Sequence, residues 1–224
     1  MRRRHFLARA SRISLLGVAG AQGLAGIIRN ALAAGNAPVA PGIHRIKGEV
    51  ALNGQSAREG LLVRTGDTLI TGPGAEVIFV IGQDAYLQRE RSTVSFAGDA
   101  AANVMRVVTG KILSVFGKGN KQLVTPAASI GIRGTACYIE IEERRVYFCL
   151  CYGTAEISPA ADPSRIERIE TQHHDHPVYL HNDNAMPMLA KAPVINHSDA
   201  ELTMLEALVG RRPPFYGQAY KNYY

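Results

Sequence analysis

From Gly42 onward the chain is cut into short apolar runs by turn words that a β-ladder does not cross. Residues 44–52 stop at Asn53-Gly54, a dipeptide suited to tight hairpins. Residues 61–63 run into Thr65-Gly66-Asp67, and residues 68–71 meet Gly72-Pro73-Gly74, where proline has no N–H to give to a ladder. Residues 76–81 (EVIFVI) form an apolar strand closed by Gly82-Gln83-Asp84. The segments 86–90, 93–96, 104–108, 111–116, 122–125, 134–142 and 145–152 follow in the same style. No stretch of helical period separates them, so an all-β antiparallel sandwich or barrel is expected rather than βαβ units.

The period changes only near the end. Ser198-Asp199-Ala200-Glu201 is a capping box, and Leu202, Leu205, Leu208 and Val209 follow at helical spacing before Gly210 and Pro213-Pro214. One short helix docked on the sheet is expected there, with residues 215–224 either loose or laid on the surface.

The N-terminus reads MRRRHFLARASRISLLGVAGAQGLAGIIRNALAAG. An Arg-rich start, a Gly/Ala-rich apolar run and Ala31-Leu32-Ala33 make an export signal with cleavage near Ala33. Arg3-Arg4-His5-Phe6-Leu7 resembles the twin-arginine word. Retention as a membrane anchor is the alternative, although the run is short for a span. The formal charge of +6 belongs to this leader: its six arginines set aside, the 25 Lys and Arg fall to 19, matching the 19 Asp and Glu. No basic stripe remains for nucleic acid. The expected organisation is a signal at 1–33, a β-domain at 42–170, and a segment at 171–224 holding a His-rich stretch, the helix and a tail.

The ordered words VRTGDTLITGPGAEVIFVIGQDAYLQRERSTVSF and TPAASIGIRGTACYIEI, across residues 61–157, resemble the FecR domain family. Gly66-Asp67, Thr71-Gly72-Pro73-Gly74 and Gly134-Thr135 carry the likeness, while Gln83-Asp84-Ala85 stands where the family has Asp-Gly. The resemblance implies a jelly-roll-like periplasmic domain, a hairpin turning at Gly110 and a strand-ending turn at Gly153. In the family's best-known members the domain senses a loaded outer-membrane transporter and signals to a sigma factor through a membrane helix and a cytoplasmic segment. The residues before Gly42 leave no room for that segment. A free-standing exported binding or signalling module is therefore expected, with another envelope protein as partner and membrane contact only through a retained signal.

Three cysteines exclude a disulfide-dense scaffold. Residues 137–142 and 145–151 should pair around a two-residue loop at Glu143-Arg144. Side chains alternate across a strand, so Cys137, Ile139, Val146, Phe148 and Leu150 take the core face, with Cys137 opposite Leu150. Cys149 and Cys151 point the other way, about 6.6 Å apart along the strand, a poor geometry for a mutual disulfide. Two thiolates side by side can still converge on one ion. Four of the seven histidines follow in TQHHDHPVYLH, and His173, His174 and His176 are the candidate partners of Cys149 and Cys151. Such a set suits zinc, copper or an iron–sulfur centre; a buried reduced pair and a redox pair stay open beside it. No Gly-x-Ser-x-Gly, phosphate loop or His-Glu-x-x-His occurs, so a non-catalytic protein is expected.

Overall fold

The computed structural model describes residues 37–98, 103–181 and 186–218; the proposed export signal lies outside them. Fourteen strands make one hydrogen-bonded sheet: β1 (Gly42–Lys47), β2 (Val50–Leu52), β3 (Gln55–Ser56), β4 (Thr68–Thr71), β5 (Glu76–Ile81), β6 (Asp84–Gln88), β7 (Thr93–Gly98), β8 (Asn103–Val115), β9 (Asn120–Val124), β10 (Ala128–Ile141), β11 (Arg145–Pro159), β12 (Glu167–Thr171), β13 (Val178–His181) and β14 (Leu189–Lys191). Among the described residues one helix, α1 (Asp199–Leu208), follows them. The described residues form the expected all-β sandwich with a short C-terminal helix. Among the described residues, no helix is long and apolar enough to cross a membrane.

The sheet folds on itself because β8, β10 and β11 are long enough to serve two halves. Their C-, C- and N-terminal parts join β1, β5, β6, β13 and β14 in one half. Their other ends join β2, β3, β4, β7, β9 and β12 in the second. Each long strand passes from half to half at a glycine with positive φ: Gly110 (+80°), Gly134 (+55°) and Gly153 (+98°). A Cβ on Gly110 would sit 2.1 Å from Ser92 Oγ and 2.5 Å from its Cα, so only glycine lets β8 cross β7 there. Gly110 and Gly153 are thus bends inside strands, not the hairpin and strand-ending turn that the resemblance implied. The expectation of a wholly antiparallel sheet also needs correction. The bent β8 lays Asn103–Arg106 beside Lys121–Val124 in parallel register.

Between the halves lies a continuous apolar core that includes Phe79, Tyr86, Phe96, Leu123, Ile130, Cys137, Phe148 and Leu150. A second core lies on the outer face of the first half, where Ile78, Leu87, Leu113, Tyr138, Tyr147, Cys149 and Cys151 meet Leu202, Met204, Leu205 and Leu208 of α1. The face opposite Cys137 is therefore dry, although Glu140 and Glu142 suggested water there. The capping box forms as the sequence suggests, with Ser198 accepting from Glu201 N and Glu201 reaching back to Ser198 N at 2.9 Å. Arg89 on the sheet pairs with Glu201 at 2.7 Å. Arg211, just past the helix, pairs with Glu206 at 2.6 Å and reaches Gln83 O. Phe215 is buried rather than loose.

Candidate metal centre

β10 and β11 pair in the register that the alternation predicts, Cys137 against Leu150 and Cys149 against Tyr138. Cys137 is sealed in the inner core, and Cys149 and Cys151 face the second core; all three are free thiols. The chain after β12 then turns back over this face. Thr171 and Asp175 tie the turn: Asp175 accepts from Thr171 Oγ1, Gln172 N and His173 N, and these bonds hold its carboxyl below the usual carboxylate range. His174 N donates to Cys151 O at 2.9 Å. His174 itself takes a left-handed backbone (φ +56°), a conformation uncommon outside glycine that histidine adopts more readily than most residues.

The result is a buried cluster. His174 Nδ1 lies 3.4 Å from Cys149 Sγ and 3.1 Å from Nε2 of His197, which precedes the helix cap. Donor atoms of Cys149, Cys151, His174 and His197 all lie within 4.8 Å of one another. Cys149, Cys151 and His197 are 0% exposed and His174 4%. His197 is held by stacking on Tyr138 at 4.8 Å.

The partners of the outer ring nitrogens fix the tautomers. His174 Nε2 lies 3.1 Å from Asp199 Oδ1, and His197 Nδ1 lies 2.6 Å from Ile195 O. Carboxylate and carbonyl only accept, so both of those nitrogens carry hydrogen. In neutral rings that leaves lone pairs on His174 Nδ1 and His197 Nε2, which face each other at 3.1 Å. Two lone pairs at that distance repel unless a cation sits among them, either an extra proton or a metal ion. Burial pushes the Cys149 thiol up, but hydrogen bonds from Cys151 and, where an inward ring nitrogen carries the extra proton, from His174 and His197 reverse this and hold it well below the ordinary thiol range. Burial, then the bond to Cys149, pushes Cys151 well up. A thiolate on Cys149 is thus held by the same cation, a proton on an inward ring nitrogen or a metal ion, that separates the two lone pairs.

Of the candidates read from sequence, Cys149, Cys151 and His174 meet. His173 stands one step outside, its Nε2 2.9 Å from both oxygens of Asp199. His176 is exposed and is not among the grouped donors. His197 and Asp199 are the residues that sequence reasoning passed over. Their signal was there, since they flank the predicted cap residue Ser198 and a docked helix had to bring them onto the sheet.

The fold and cluster define an all-β sandwich with a Cys2His2-type donor set at the seam between sheet and C-terminal segment. No protein-family model matches the chain, and no curated protein matches it. Among solved structures it is similar to two crystal structures, at 1.65 and 2.50 Å, of a "putative anti-sigma factor" from Parabacteroides distasonis ATCC 8503. Each gives a TM-score of 0.47 at 9% identity and covers 55% of this chain. The match spans 59% of that protein's length.

Proposed function

We propose that this chain is an exported, non-catalytic FecR-type binding module whose sandwich carries one closed metal centre, formed by Cys149, Cys151, His174 and His197 and suited first to zinc. The observation that carries the reading is a buried four-donor set in which His174 Nδ1 and His197 Nε2 lie 3.1 Å apart and every donor lies within 4.8 Å of the others. Zinc bonds of about 2.0–2.1 Å to nitrogen and about 2.3 Å to sulfur give tetrahedral edges of about 3.3 Å between nitrogens and about 3.5 Å between nitrogen and sulfur. The separations of 3.1 and 3.4 Å fit those edges. Asp199 and Ile195 O supply the outer hydrogen bonds that ligating imidazoles need.

A two-iron cluster with cysteines on one iron and histidines on the other fits less well, because it would hold sulfur and nitrogen apart by the width of the cluster. Four protein donors leave no open position for substrate, which supports a structural rather than catalytic ion. The export reading rests on the Arg-rich leader, and the FecR-type reading on the ordered words in residues 61–157. On this reading the partner is another envelope protein.

Metal analysis of the full chain isolated from its native compartment tests the centre. One zinc per chain is expected, lost in Cys149→Ser/Cys151→Ser. No stoichiometric metal in the wild type would refute it. Recovery of the uncleaved protein in the cytoplasmic fraction would separately refute export.

A further inference from the structure

His173 takes no part in the inner donor set, yet it stands between that set and water. Among the residues at the centre it alone lines a cleft of about 600 Å³, walled by Phe116, Tyr152, Arg211 and Phe215. Its ring stacks on Phe215 at 4.2 Å, and its Nε2 reaches Asp199, whose Oδ1 also contacts His174 Nε2 at 3.1 Å. Donor atoms of His173, Asp199 and His174 lie within 4.8 Å of one another, a second group sharing His174 with the first.

We propose that His173, Asp199 and His174 form an outer station for a divalent cation, through which an ion passes between the cleft and the inner site; this rests on the inner site being a metal centre. The shared ring explains how. His174 presents Nδ1 inward and Nε2 outward, and a neutral imidazole has one lone pair and one N–H. When an ion sits at the outer station the His174 hydrogen moves to Nδ1, so that Nε2 ligates beside His173 Nε2 and an Asp199 oxygen. With the inner site filled, the hydrogen is on Nε2 and returns to Asp199, so the two sites exclude each other. The His173 ring likewise carries its hydrogen on Nδ1 while Nε2 ligates and on Nε2 when it returns to Asp199, and thiol protons displaced inside leave to solvent.

Two imidazoles and a carboxylate suit zinc or cobalt and leave positions open toward the cleft for water. Lacking thiolates, the outer set holds the ion less tightly than the inner one and hands it on.

The test is release of cobalt from the fully loaded chain to a chelator, followed by loss of the sulfur-to-cobalt absorption band, in wild type, His173→Ala and His173→Gln. Both variants should keep one cobalt per chain and the full band but release it about tenfold or more slowly, the scale on which ligand-orienting partners act. Circular dichroism checks the fold, and the Gln variant keeps the hydrogen bond to Asp199 if Ala does not fold. Unchanged release in a folded variant overturns the station. Faster release overturns it too, since His173 would then be only a lid. A wild-type chain with no sulfur-to-cobalt band sinks the metal reading itself, a result distinct from a normal band with equal rates.

Discussion

Cys137 lies opposite Leu150 and Cys149 opposite Tyr138, so one step along a strand pair separates a thiol sealed in the inner core from a proposed ligand. Single substitutions should divide along that line. Cys149→Ser, Cys151→Ser and His197→Ala should each lose stoichiometric metal, measured as ions per chain by elemental mass spectrometry, whereas His176→Ala should keep it. Cys137→Ala should keep the metal as well and lower unfolding free energy by about 1–2 kcal/mol in urea, the cost of a small void in a packed core. A folded Cys137→Ala that loses its ion would refute the assignment of faces. The alternation of side chains made this much of the site legible, because Glu140 and Phe148 mark the two faces whatever lies beyond them. His197 was not legible in the same way. It stands alone in sequence, and what brings it to Cys149 is the docking of a helix rather than any local spacing.

At the scale of elements, the turn words located most strands, and β4 and β5 begin and end where the sequence places them. They failed where glycine bends a strand instead of ending it. A glycine inside an apolar run reads equally as a turn or a bulge, and only the neighbour across the sheet decides. Ser92 decides at Gly110, whereas a Cβ on Gly134 would meet nothing within 4 Å. Gly110→Ala should therefore cost about 3 kcal/mol or more, from positive φ and a clash with backbone. Gly134→Ala should cost only about 1 kcal/mol, from positive φ alone. Urea unfolding of both variants checks this, and the reverse order would show that the crossing at Ser92 is not what fixes the bend. Removing the helix cap with Ser198→Ala should cost about 1 kcal/mol. The short β12, β13 and β14 were not read from sequence, since their charged and mixed residues lack a long apolar alternation.

At the scale of the whole molecule, the fold class was legible because strand, turn and strand recur through most of the chain. That both faces of one half are buried was not, because α1 covers the second face from far along the sequence. The proposed ion would tie three distant stretches: Cys149 and Cys151 on β11, His174 on the turn after β12, and His197 ahead of α1. The inner core between the two halves contains none of these imidazoles and rests on its own apolar contacts. Removing the ion should therefore not unfold the chain uniformly. It unties Cys149 and Cys151 from His174 and His197 and frees the segment that seats α1, while the inner strands keep their ladder. Hydrogen exchange read by mass spectrometry should show protection lost at residues 171–175 and 193–208 after chelation, with β5, β6 and the inner part of β8 nearly unchanged. Those strands form the deeper cooperative unit, and the docked helix the shallower one. Equal loss of protection throughout would mean that the two cores unfold as one. No loss at α1 would mean that Arg89–Glu201 and Arg211–Glu206, with the apolar face of the helix, hold it without the ion. The expected outcome lies between these: a sandwich that stays folded, with a C-terminal segment whose seating depends on metal.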